Sequence, residues 1–186
     1  MSGNVERKVK LAEVSLRALL CGLGALAAAL VATDSQTRTF FSFQKKAKFT
    51  DMKAMVFLVI ANGVAAGYSL LQAARCGVAM ARGSPLLSKA LAWSVFSCDQ
   101  ALAYVMLAAA AAALQASVVA KRGQPELQWM GICSLYGAFC RRAGGGVASA
   151  VAAGLAAVLL AFLSAFNLFR LYGKSGGGGA RNVATW

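Results

Sequence analysis

Residues 90–120, ALAWSVFSCDQALAYVMLAAAAAALQASVVA, hold a single charged side chain, Asp99, in an otherwise apolar run. An α-helix needs about 20 mostly apolar residues to cross the ~30 Å hydrocarbon layer, so this stretch is long enough to cross it with a tilt. Its Leu and Ala content favours helix, and it lacks the strict alternation of a barrel strand. Three further stretches share this character: residues 14–33 (VSLRALLCGLGALAAALVAT), 54–74 (AMVFLVIANGVAAGYSLLQAA) and 144–169. Four such spans with short connections predict an all-α, up-down antiparallel transmembrane bundle. A membrane domain over 14–170 is then flanked by an N-terminal tail, 1–13, and a flexible C-terminal tail, 171–186, that begins its glycine run at Gly176.

Composition agrees. Of 186 residues, 59% are hydrophobic and 13% charged, with 19 Gly besides. An average soluble domain is about 25% charged, and a soluble fold of this size cannot hide so much apolar surface. The net charge of +13 would suggest nucleic acid in a soluble protein. Here the charges fall in short gaps between apolar runs, where they set topology and meet lipid headgroups, so no nucleic-acid partner is expected. The first span has a basic leader and small residues resembling a signal peptide. Its long leader, its interruption by Glu13 and Arg17 and its span-length core favour an uncleaved helix. Positive charge does not orient the chain: Lys and Arg are equally numerous at the two ends of the bundle.

The chain has no His, which removes any imidazole base or His-ligated metal. Its five Cys include no C-x-x-C pair, so neither a metal nor another cofactor is expected. No nucleophile–base constellation remains, and the chain is not expected to be an enzyme.

Two charged side chains lie clearly within spans, Arg17 and Asp99. Charge in hydrocarbon costs several kcal/mol unless paired or hydrated. In an up-down bundle the first and third helices run parallel, and Arg17, one turn into its span, can snorkel toward the depth of Asp99. The depths are compatible with an intramembrane ion pair, for which Glu13, one turn before Arg17, competes as a partner. The alternative is a small oligomeric channel or transporter with Asp99, joined by Asn62, Tyr68 and Gln100, along a path.

Gly63 and Gly67 form a G-x-x-x-G element that lets another backbone approach closely, either within the bundle or between subunits. Ala150 and Gly154 make a looser version on the fourth span. Cys133 and Cys140 share the last connection, and their separation permits a disulfide if that connection faces an oxidising compartment. Cys76 is an acylation candidate if it faces the cytoplasm, whereas Cys21 and Cys98 read as small apolar helix residues. In the first connection, Phe40, Phe41, Phe43 and Phe49 interleave with Lys45, Lys46 and Lys48. That pattern suits an interfacial belt or an outer-loop contact with an acidic partner.

The sequence resembles the CASP-like family, plant relatives of the Casparian strip membrane domain proteins. The resemblance covers nearly the whole chain. It rests on the four short-looped spans, on Arg17 and Asp99, and on residues 49–54 (FTDMKA), 98–100 (CDQ), 123–129 (GQPELQW) and 164–172 (SAFNLFRLY). It implies a MARVEL-like, multi-pass plasma-membrane protein with both termini cytoplasmic and Cys133 and Cys140 outside. It also implies a scaffold that forms homo- and hetero-oligomers with relatives, marks a membrane domain and recruits secreted cell-wall enzymes. Residues 34–46 (DSQTRTFFSFQKK) depart from the acidic, aromatic signature that the Casparian strip members carry there.

Overall fold

The apolar runs form four helices in a computed structural model that describes residues 2–40, 43–82 and 89–176. They are α1 (Ser2–Ala32), α2 (Lys53–Arg82), α3 (Lys89–Arg122) and α4 (Gly137–Gly176). Within them, Lys8–Ala32, Lys53–Val78, Ala90–Arg122 and Gly137–Phe169 are each long and apolar enough to cross a membrane. The helices outrun the apolar segments. Residues 2–13, read from sequence as a tail, continue α1, and α4 starts about two turns before residue 144. The polar flanks are good helix formers, and once a span is nucleated each added residue gains a hydrogen bond. Residues 177–186, most of the tail expected to be flexible, lie outside the described residues.

In lipid the helices gain nothing from excluding water, so small residues that permit close packing carry the interior. The core is accordingly rich in alanine: Ala27, Ala61, Ala65, Ala103, Ala109, Ala113, Ala150, Ala153 and Ala157 are all buried. With Leu20, Gly24, Val31, Leu58 and Met106, buried among them, they recur at three- and four-residue intervals, one stripe per helix. Leu20, Leu58, Met106 and Leu160 fill the space between the stripes. α1 packs against α2 and α4, and α3 against α4 and, less extensively, α2. α1 and α3 therefore stand diagonally across the bundle.

The glycines that permit close approach are not the predicted ones. A Cβ added at Gly63 or Gly67 would meet no atom within 4 Å, because both lie on the exposed face of α2. Packing within the chain by this G-x-x-x-G element is thereby corrected. Gly24 serves instead between α1 and α2, where an added Cβ would lie 3.1 Å from the Asn62 carbonyl oxygen. Between α1 and α4, Gly146 admits Val31, whose Cγ2 would be 2.5 Å from an added Cβ. Ala150 and Gly154 are buried, and Leu107 packs over Gly154.

One end of the bundle carries structure beyond helices. The first connection is an antiparallel hairpin, β1 (Ser35–Phe40) and β2 (Phe43–Lys48), with Phe40 paired to Phe43 and Arg38 to Lys45. This hairpin was not expected from the sequence. Gln36 anchors its base by accepting a hydrogen bond from the Phe139 backbone N–H at 3.0 Å. Beyond β2, a 3₁₀ turn over Phe49–Asp51 leads into α2, and Asp51 Oδ2 accepts from the Lys48 backbone N–H at 2.9 Å. The last connection is folded tightly on itself. Gln124 and Trp129 exchange backbone hydrogen bonds of 2.9 and 3.1 Å around a 3₁₀ turn over Pro125–Leu127. A disulfide joins Cys133 to Cys140, tying this connection to the first turn of α4.

Candidate functional site

Arg17 and Asp99 occupy interior stripes of the two diagonal helices, and the long Arg side chain spans the gap that their backbones leave. Each lies nine residues from the end of its apolar segment, about 13 Å along the helix. Both are buried. The guanidinium engages Asp99 with two hydrogen bonds, Nη2 to Oδ2 at 2.9 Å and Nη1 to Oδ1 at 3.2 Å. This bidentate geometry gives the strongest ordinary charge-assisted contact.

Around the pair further side chains engage both charges, although the buried Tyr68 hydroxyl has no hydrogen-bond partner. Arg17 Nε and Nη2 also donate to Glu13 Oε1, at 3.2 and 3.0 Å. Glu13 therefore does not displace Asp99: a guanidinium has five N–H groups and serves both carboxylates. The Ser164 hydroxyl of α4 donates to Asp99 Oδ2. Asn167 Nδ2, one turn farther along α4, donates to Glu13 Oε2 at 3.4 Å. From α2, the Tyr68 ring lies 5.9 Å from the guanidinium carbon, within cation–π range. All four helices thus meet in one cluster around Arg17. Burying two charges costs several kcal/mol per ion, which the bidentate pair and its flanking hydrogen bonds offset. Loss of Arg17 would strand Asp99, and loss of Asp99 would leave Arg17 with Glu13 alone.

Arg17, Glu13 and Asp99 stand out in the sequence, whereas the roles of Ser164 and Asn167 do not. The available signal was their four-residue-class spacing from the alanine stripe of α4. Asn62, named as a path residue, is buried one face away on α2; its Nδ2 donates to the Leu58 carbonyl oxygen at 2.9 Å, and its Oδ1 has no protein partner. Ser69 Oγ is buried in the same condition, and Gln100 is half-buried. Among the described residues no group of acidic, Cys or His side chains could hold a metal.

At the hairpin end, Lys46 and Lys48 are exposed on one face of β2. Lys45 lies opposite Arg38 in the register, and Phe40 opposite Phe43 at the tip. Phe41 lies outside the described residues, and Phe49 packs partly buried on the core. Cys21 and Cys76 are half-buried and Cys98 is exposed.

Asp34 sits at the same end, buried just past α1, with Oδ2 lacking a protein partner. Burial pushes its carboxyl above the usual range, while the charge of Arg142 and a hydrogen bond from the Ala143 backbone pull against this. A raised folded-state pKa means that the folded chain holds the proton more tightly than the unfolded chain. The stability this contributes is complete below the unfolded value, near 4, and is lost as pH rises through the folded value. Asp34→Asn should therefore flatten this acid-side slope in pH-dependent unfolding of the detergent-solubilised protein. An unchanged slope would remove Asp34 as its source.

Comparison with known proteins fits the architecture. A family model described as the Casparian strip membrane protein domain matches residues 6–166, which includes α2, α3, most of α1 and α4, and the whole charge cluster except Asn167. The chain belongs to this family. "CASP-like protein 2U1" of Sorghum bicolor is 79% identical over 179 residues, covering 93% of each chain. "CASP-like protein 2B1" of Oryza sativa subsp. japonica is 71% identical, covering 91% of this chain and 86% of the relative. The protein of the same name from Ricinus communis is 61% identical, covering 93% and 86%. No solved structure matches. None of these relatives bears an enzyme's name, and the four spans make this family member a multi-pass membrane protein. The stretches that carry the family resemblance also build the structure: residues 98–100 supply Asp99, 164–172 supply Ser164 and Asn167, and 123–129 form the tight turn after α3.

Proposed function

We propose that this protein is a non-enzymatic scaffold of the plasma membrane that self-associates, alone and with its relatives, and organises a membrane domain. The observation that carries this reading is the closure of the charge cluster. Both Asp99 oxygens are engaged, by Arg17 and Ser164, so the charge serves to join helices rather than to meet a passing solute. The termini are cytoplasmic in this reading and the hairpin end is outside, which suits the Cys133–Cys140 disulfide. The hairpin, with exposed Lys46 and Lys48, then offers a basic surface to acidic segments of secreted cell-wall-modifying proteins. Lipid surrounds the remainder.

For self-association the exposed Gly63 and Gly67 are the natural contact, since they present bare backbone outward between exposed Ile60 and Val64. The tagged protein should form patches at the cell surface with little recovery after photobleaching. Gly63→Leu with Gly67→Leu should leave the fold intact and raise the mobile fraction severalfold. A freely diffusing wild-type protein would overturn the scaffold reading.

A transporter is the second reading, favoured by the buried and unpartnered Asn62 Oδ1 and Ser69 Oγ in the bundle interior. Asp99→Asn discriminates. It should disperse a scaffold, whereas in a transporter it would leave assembly intact and abolish solute flux in proteoliposomes.

A further inference from the structure

At the hairpin end, a cavity of about 360 Å³ lies among the start of α2, the end of α3 and the last connection with the start of α4. That volume lies within the range of small-molecule sites. Met55, Ala120, Phe139 and Ala143 make its wall largely apolar, and the Cys133–Cys140 disulfide borders it. Two cations, Lys121 and Arg141, also line it. Neither makes an ion pair among the described residues. Of the carboxylates at this end, Asp51 accepts from the Lys48 backbone, Asp34 is buried near Arg142 and Glu126 is exposed on the last connection; none forms an ion pair with either cation among the described residues.

The level of the cavity matters as much as its lining. The α2 span begins at Lys53, the α3 span ends at Arg122 and the α4 span begins at Gly137, all beside the cavity. It therefore opens where hydrocarbon gives way to headgroups. Trp129 and Met130, largely exposed on the neighbouring turn, suit the same interface. Lys121 and Arg141 are exposed at its rim, where they stay hydrated and can meet an anion at headgroup level.

We propose that this cavity is a binding site for an anionic phospholipid of the adjoining leaflet. One acyl chain lies against Met55, Ala120 and Phe139, and the phosphate is held between Lys121 and Arg141. A basic pocket between membrane helices takes such a headgroup by charge, while the apolar wall selects a lipid over free phosphate. The site is independent of the scaffold reading, because it requires only the monomer.

The test uses the full-length protein purified from bilayers of phosphatidylcholine mixed with phosphatidylglycerol, with native mass spectrometry reading the lipids retained per chain. Wild type should retain phosphatidylglycerol over phosphatidylcholine by about tenfold or more, from two cations near the headgroup. Lys121→Gln with Arg141→Gln should bring this preference close to one. Lys46→Gln with Lys48→Gln, on the hairpin, should leave it unchanged. Ala120→Trp, which fills the cavity and keeps both cations, should lower retention of phosphatidylglycerol severalfold. Circular dichroism and an intact disulfide confirm folding of each variant, and Arg141→Gln alone stands in if the double variant misfolds. Equal retention of the two lipids by wild type would overturn the proposal. So would an equal loss in the hairpin variant, which would mark a diffuse charge effect, or full displacement of phosphatidylglycerol by oleate, which would mark a fatty-acid site.

Discussion

Asp99→Ala should lower the stability of the bundle by about 3–5 kcal/mol, the usual penalty for stranding one partner of a buried ion pair. The fully buried Arg17 would keep only Glu13, which approaches from one side of the guanidinium. Ser164 would lose its acceptor as well. Three contacts between helices vanish with one carboxylate, and two of them join the diagonal pair α1 and α3, which little else connects directly. Unfolding in mixed micelles with increasing sodium dodecyl sulfate, followed by circular dichroism, measures the change. Asp99→Asn should cost less, because the amide oxygen still accepts one hydrogen bond from Arg17. A loss below about 1 kcal/mol for Asp99→Ala, the size of an exposed salt bridge, would show that the pair is hydrated rather than buried.

Gly123→Ala is the second large effect, and it acts at the opposite end from the charges. Gly123 has φ of 71°, in the left-handed region that costs a residue with a side chain about 1–3 kcal/mol. Space is lacking too: an added Cβ would fall 2.3 Å from the Trp129 carbonyl oxygen and 2.9 Å from the Gly131 nitrogen. Both neighbours are backbone, Trp129 closing the turn with Gln124 and Gly131 just beyond it. The turn must open to admit the methyl group. Hydrogen exchange should therefore rise at the Gln124 and Trp129 amides while α1 and α2 stay protected. Protection unchanged at those amides would contradict the tight turn.

The spans were legible because lipid leaves a chain few options. Only helices satisfy every backbone group internally, and their apolar length is fixed by bilayer thickness. The same logic hides helix ends, since residues 2–13 of α1 and the first turns of α4 lie where water accepts any sequence. Arg17 and Asp99 stood out because charge is rare in a span. Ser164 did not, since a helical serine ordinarily bonds the carbonyl four residues back, as Ser94 and Ser117 do here. The hairpin escaped notice for a different reason. Its central pair sets Arg38 against Lys45, which disfavours pairing, and residues 41–42, Phe-Ser, lack the Gly or Asn that announces a tight turn. Gly63 and Gly67 were visible as a motif, but in an Ala-rich helix every face resembles the core. Which face turned inward was decided by Asn62, Ala65 and Ser69, all buried beside them.

The bundle is clasped by Arg17 and Asp99 as mutual partners inside the membrane, and a double-mutant cycle measures that directly. Arg17→Met, Asp99→Leu and the double variant would be unfolded side by side in mixed micelles. Arg17→Met strands the buried Asp99, and Asp99→Leu leaves Arg17 only Glu13, so each single variant should be strongly destabilised. The double variant, which removes both charges and fills the space with apolar groups, should recover most of the loss, giving a coupling energy of about 3 kcal/mol or more. Additive losses, with the double variant the least stable of all, would contradict the pairing and with it the cluster as the clasp of the bundle.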